Sequence, residues 1–271
     1  FGASAHKLAG SAYTLEQVIT AGIANCKRAC APYGALTALD VGPLGELLEP
    51  SGTLAFEDAV AEYARIVKAG EAAGADLIFF ETYTDLYELK AALLAAKENT
   101  HLPILASMSF EAGGRTFTGC TVESFAATAR GLGADAVGIN CSLGPKEIFP
   151  MAKRLAEAVP GNFPVFVKPN AGLPRADGSG YDITPQLFAL QMKPYRELHL
   201  FAAGGCCGTT PEFIKLLNGT FAGCTPGRPA HRMPSVLCTP VDTVTVDGIT
   251  VVGERINPTG KKRFQQALRE G

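Results

Sequence analysis

The chain is 271 residues long and 47% hydrophobic, and its 24 basic and 26 acidic residues leave a net charge of −2. That length suits one large domain or two small ones with ample material for a core, and the charge gives no footprint for nucleic acid or for an acidic membrane surface. No stretch approaches the roughly 18 unbroken apolar residues of a membrane-crossing helix, and no basic-then-apolar secretory signal opens the chain, so a cytoplasmic protein is expected.

The first residues are Phe1-Gly2-Ala3 rather than a methionine. From Thr14 to about Ala31 the pattern is helical, with Leu15, Val18, Ile19, Gly22 and Ile23 on one face. Cys26 and Cys30 lie one turn apart on that helix, but nothing nearby completes a metal site, and ordinary packing is expected. Ala35 to Asp40 reads as a buried strand with Val41-Gly42-Pro43 as its turn. One unit then repeats: helix 56–73 and strand 76–80, helix 85–98 and strand 103–109, helix 122–132 and strand 135–139, helix 145–158 and strand 164–168, helix 185–197 and strand 199–203, and a last helix over 211–218. The strands are short apolar runs rather than alternating ones, as in a parallel sheet covered on both faces, so the class is α/β with right-handed crossovers.

Chemistry gathers where strands end. The run Phe201-Ala202-Ala203 delivers Cys206 and Cys207 into a glycine-bracketed turn, and Thr209 or Thr210 with Pro211 and Glu212 opens the next helix. Ala136-Val137-Gly138-Ile139-Asn140 ends in the same way, at Cys141. Three thiols at the same end of two parallel strands can converge on one point, and three thiolates with a fourth position left open suit a catalytic zinc. The alternatives are a small core hydrophobe at 141 and a chance pair or vicinal disulfide at 206–207. Eight cysteines without a secretory context favour reduced thiols or metal over a disulfide framework. Glu81 follows the apolar run 77–80 and presents a carboxylate that suits a substrate ammonium group or caps the helix over 85–98. Asn170 follows 165–168 and either lines the same mouth or forms a local turn. Asp40, Asp85, Ser107 and Ser109 read as pocket lining or caps.

These residues carry a family resemblance. G-I-N-C at 138–141, G-G-C-C-G-T-T-P-E at 204–212, F-F-E-T at 79–82 and K-P-N-A-G at 168–172 resemble, in order and spacing, the motifs of the zinc-dependent homocysteine S-methyltransferases, from Phe1 to about Asn218. The resemblance implies a (β/α)8 TIM barrel. Only six strands are counted, and Phe1-Gly2-Ala3 matches the end of the family's second-strand segment, so a barrel lacking its first two strands is expected. It also implies that Cys141, Cys206 and Cys207 hold zinc, that Glu81 binds the amino group of homocysteine, and that Asn170 contacts zinc or substrate. The nucleophile is then the zinc-activated substrate thiolate, and no protein residue is catalytic.

After Asn218 the texture changes. Glycines and prolines crowd residues 219–240, which reads as a linker, and Thr243 to Thr250 looks like a small hairpin around Asp247-Gly248. Val251 to Gly260, with a basic helix start over 261–269, resembles the opening strand and turn of a pterin-binding barrel. The expected organisation is a homocysteine-binding barrel over 1–218, a linker over 219–248 and the start of a pterin-binding domain over 249–271. This is the module order of the cobalamin-dependent methionine synthases. It implies methylcobalamin as methyl donor, regenerated from methyltetrahydrofolate, with cobalamin held by a domain outside this chain. Partners are then homocysteine and those modules, without nucleic acid or membrane. Competing readings are a betaine- or S-methylmethionine-using enzyme and a non-catalytic zinc- or thiol-binding module.

Overall fold

Helix-forming and strand-forming signals alternate as the sequence leads one to expect, and a computed structural model of the chain describes residues 3–230, 233–251, 253 and 260–270. Among these residues six parallel strands form one sheet: β1 (Ala38–Val41), β2 (Leu77–Tyr83), β3 (Ile104–Met108), β4 (Ala136–Asn140), β5 (Val165–Lys168) and β6 (Ala202–Ala203), each paired with the next in chain order. Helices α1 (Leu15–Cys30), α2 (Phe56–Ala72), α3 (Leu86–Asn99), α4 (Val122–Gly131), α5 (Pro145–Glu157), α6 (Pro185–Gln191) and α7 (Pro211–Thr220) precede, separate and follow the strands.

Local chemistry starts these helices. Thr14 closes a capping box with Gln17 on α1, and Asp85, Thr121 and Thr184 each accept a backbone N–H with the side chain at the starts of α3, α4 and α6. Side-chain alternation divides the sheet into two faces. Ile78, Phe80, Ala106, Met108, Val137, Ile139, Val165 and Val167 are buried within the main apolar core. The opposite face carries Phe79 and Phe166, whose rings meet edge-on at 5.2 Å, and the polar residues Glu81, Ser107, Asn140 and Lys168. Gly138 makes that packing feasible, because a Cβ there would stand 2.3 Å from the Phe166 ring.

The loop after β1 is fixed from below. Glu88 on α3 is buried, and its carboxylate accepts from the Leu44 N–H at 2.7 Å and from the Tyr63 hydroxyl at 2.8 Å. Burial raises the Glu88 carboxyl above the ordinary range, against those two hydrogen bonds.

Two expectations shift. The helix over 185–197 divides into α6 and a 3₁₀ turn at Lys193–Leu198, because Pro194 has no N–H to continue the α ladder. The hairpin is not built around Asp247-Gly248: β7 (Ser235–Cys238) pairs antiparallel with β8 (Thr243–Val246), and the turn is 239–242. There Thr239 Oγ1 accepts from the Val241 and Asp242 N–H groups. Parts of the segment read as a linker hydrogen-bond to the sheet domain. The Arg228 N–H bonds the Gly161 carbonyl, its guanidinium bonds the Ala156 carbonyl, and the Thr121 N–H donates to the Pro240 carbonyl. The Asn257-Pro258-Thr259 part of the pterin-barrel resemblance, with Glu254, Arg255 and Ile256, lies outside the described residues, whereas the expected terminal helix is present as α8 (Lys262–Glu270). No helix among the described residues is long and apolar enough to cross a membrane.

Candidate metal centre

The turn after β4 is conformationally unusual. Cys141 and Ser142 have φ of +63° and +59°, a left-handed pair without glycine, which costs roughly 1–2 kcal/mol per residue. Tertiary bonds hold it: the Cys141 N–H donates to the Lys168 carbonyl at 3.1 Å, and the Ser109 and Ser142 hydroxyls lie 2.6 Å apart.

Beyond β6 the chain continues its ladder to β5. The Gly204 N–H bonds the Val167 carbonyl at 2.9 Å and the Cys206 N–H bonds the Pro169 carbonyl at 2.8 Å. Asn170, itself buried, accepts the Cys207 N–H on Oδ1 at 3.0 Å, and the Thr209 hydroxyl closes the turn on the Cys206 carbonyl at 2.7 Å. Gly208 follows with φ of +78°, and the Tyr181 ring lies where its Cβ would be.

These two turns bring the sulfurs of Cys141, Cys206 and Cys207 within 4.8 Å of one another, the only such cluster of His, Cys, Asp or Glu ligand atoms among the described residues. Cys141 and Cys207 are 3.7 Å apart. The Cys206 thiol beside it holds Cys141 down to about 7, against burial and against Cys207, while Cys141 and burial push Cys206 well up. Three thiolates together require a cation.

Asn140 organises the approach to the cluster. It is fully buried, its Oδ1 accepts from the Thr82 N–H at 3.0 Å and the Ser107 hydroxyl at 2.8 Å, and its Nδ2 donates to Thr82 Oγ1 at 2.7 Å and towards the Cys206 sulfur at 3.7 Å. Sequence reasoning quoted Asn140 only inside a motif. A polar side chain ending an otherwise apolar strand was the available signal, since buried amides need partners. Tyr181 and Lys168 were missed as well.

Glu81 sits at the carboxyl end of β2 on the polar face. It is not the cap of α3, which is Asp85. Its carboxylate pairs with Lys168, whose Nζ also stands 4.7 Å from the centre of the Phe79 ring. Asp40 on β1, beside Phe79 in register, is exposed to solvent yet crowded by protein. Desolvation, then the Glu81 charge, raise its carboxyl to about 6, with Lys168 opposing. The Asn170 side chain accepts from the Cys207 N–H rather than from its own neighbours, and its N–H bonds the Leu143 carbonyl. Cys26 and Cys30 stand 3.8 Å apart on α1, away from this centre.

The profile of the Homocysteine S-methyltransferase family matches residues 1–221. The methionine synthase of Mycobacterium leprae is 33% identical over 211 residues, and that of Mycobacterium tuberculosis is 34% identical over 206. Each alignment takes in 72% of this chain, which spans 17% of the length of either relative. Among solved structures, the metallated form of the homocysteine methyltransferase MmuM from Escherichia coli superposes with a TM-score of 0.63 at 22% identity, covering 81% of this chain and 76% of that one. The oxidized form of the same enzyme gives 0.67 at 21% identity over the same shares, and at this identity the likeness speaks for the fold. A profile match over most of the chain, containing both cysteine turns, places it: the chain belongs to the homocysteine S-methyltransferase family.

Proposed function

We propose that this chain is the homocysteine-binding part of a methionine synthase, in which Cys141, Cys206 and Cys207 hold zinc and the thiol of homocysteine takes the fourth position. The observation that carries this is the three-sulfur cluster in a chain of this family. Two sulfurs on one tetrahedral zinc at about 2.3 Å lie about 3.8 Å apart. Cys141 and Cys207, at 3.7 Å, already stand at that spacing. Held there, zinc would lower the pKa of the homocysteine thiol, so that a thiolate would exist at neutral pH to accept the methyl group.

The protein's own residues position and bind. Asn140 orients Cys206, and Asn170 fixes the Cys207 turn, where it would contact zinc or substrate. Glu81 faces the amino group of the substrate. The methyl donor in this reading is methylcobalamin, regenerated from methyltetrahydrofolate, with cobalamin on a module outside this chain. The six strands belong to a homocysteine-binding (β/α)8 barrel over 1–218, followed by a connecting segment over 219–248 and the start of a pterin-binding domain over 249–271, in a cytoplasmic enzyme.

The test is zinc stoichiometry with proton release. Free thiols have a pKa of about 8.5, so homocysteine binding as a thiolate at pH 7 releases close to one proton per site. Cys141→Ala or Cys206→Ala removes zinc and this proton release together, whereas Cys26→Ala and Cys238→Ala keep both. Full zinc content and full methyl transfer in Cys207→Ala would refute the assignment.

A further inference from the structure

Between Asn170 and α6 the chain folds into a short hairpin over 171–183. The Asp182 N–H bonds the Leu173 carbonyl at 3.1 Å, the Leu173 N–H bonds Asp182 Oδ1 at 2.8 Å and the Arg175 N–H bonds the Gly180 carbonyl at 2.8 Å, with Pro174 opposite Tyr181 in an antiparallel bridge. The base of the hairpin is joined to the second cysteine turn, because the Ala171 N–H bonds the Cys207 carbonyl at 2.9 Å and the Ile183 N–H bonds the Ala171 carbonyl at 3.0 Å. Tyr181 is thereby delivered onto that turn. A Cβ at Gly208 would stand 2.3 Å from its half-buried ring, and its hydroxyl is hydrogen-bonded to Cys207, within electrostatic reach of Cys141 and Cys206. Each sulfur of the cluster then has one polar neighbour of its own: the Ser142 N–H for Cys141, Asn140 Nδ2 for Cys206 and the Tyr181 hydroxyl for Cys207. Three thiolates on a divalent cation leave a surplus negative charge, and donors aimed at the sulfurs spread it.

We propose that Tyr181 is a positioning residue of the metal centre, whose hydroxyl donates to the Cys207 sulfur while its ring, seated on Gly208, closes that side of the cluster. The inference rests on the three-cysteine zinc reading above and adds to it the group that orients the most exposed of the three ligands. Asn140 does the same for Cys206 from the opposite side of the turn, so the two adjacent sulfurs are held by different strand-end loops.

The test is the absorption spectrum of the reduced full-length protein loaded with cobalt(II), whose sulfur-to-metal charge-transfer band reports electron density on the thiolates, together with zinc affinity from competition with a chromophoric chelator. A hydrogen bond to a thiolate lowers the energy of its lone pair. Tyr181→Phe, which keeps the ring on Gly208 and removes the hydroxyl, therefore shifts the band to longer wavelength and weakens zinc about tenfold. Tyr181→Ala, without the ring, shows the same shift and loses more affinity. A band in Tyr181→Phe at the wild-type position overturns the proposal, and so does a fall in zinc affinity without a band shift, which marks a packing role. Neither readout involves homocysteine, so a loaded wild type that fails to bind that thiol overturns the substrate reading alone. A wild type without any thiolate-to-cobalt band overturns the metal centre, and Tyr181 falls with it.

Discussion

Asn140 is the side chain on which the sulfur cluster depends most without contributing a ligand. Its amide ties Thr82, Ser107 and Cys206 together inside a fully buried position. Groups that orient metal ligands typically set about 10- to 100-fold in affinity. Asn140→Ala is therefore expected to keep the three cysteines and weaken zinc by about that factor in competition with a chromophoric chelator; unchanged affinity would show that Cys206 is held by its backbone alone. Gly208 tests the other turn. Any side chain there meets both a positive φ and the Tyr181 ring, so Gly208→Ala is expected to cost roughly 1–2 kcal/mol and to displace Cys207. The convergence of the three cysteines was legible in sequence, because Cys141 and the Cys206-Cys207 pair both lie just beyond the ends of apolar strand runs. The pairing of Glu81 with Lys168 was not, since residues 87 positions apart meet only through the register of three strand pairs.

At the level of elements, the βα alternation was readable because each strand is a short apolar run and four of the helices, α1, α3, α4 and α6, start at a capping side chain. What failed was local turn chemistry judged without tertiary partners. Asp247-Gly248 is a strong hairpin signal by itself, yet β8 pairs backwards to β7 because the 239–242 turn docks on α4, where the Ser124 hydroxyl bonds the Asp242 carbonyl at 3.3 Å and the Thr121 N–H bonds Pro240. The loop after β1 depends likewise on a distant group, Glu88. Glu88→Ala leaves a buried Tyr63 hydroxyl and the Leu44 N–H without their acceptor, at roughly 1–3 kcal/mol for each group, so a loss of about 2–6 kcal/mol is expected in urea denaturation. The pH dependence has a definite sign. Because the folded carboxyl is raised, the folded state holds the Glu88 proton more tightly than the unfolded chain. Its contribution is fully present below the ordinary carboxyl range and declines as pH rises through the raised folded value. Glu88→Gln should flatten that decline, and a wild-type-like slope in the variant would assign it to another group.

Across the whole molecule, the proposed metal site joins parts that are far apart in sequence. Cys141 follows β4 and Cys206-Cys207 follow β6, with only β5 between them in the sheet, so a bound ion ties two strand ends across that strand. Both turns are held by the β5 segment as well, through the Lys168 and Pro169 carbonyls. An ion that binds the folded arrangement and not the unfolded chain stabilises by mass action, by about 4 kcal/mol when free zinc is 1,000-fold above the dissociation constant. Thermal melts of the reduced full-length protein should therefore shift upward with zinc and return on chelation, with a further rise on adding homocysteine. Cys141→Ser should abolish the zinc shift while changing the metal-free melt only by the local cost of its turn. If zinc moves the melts of wild type and Cys141→Ser equally, the ion is binding elsewhere, and the three sulfurs are a packed thiol cluster rather than the joint between the two strand ends.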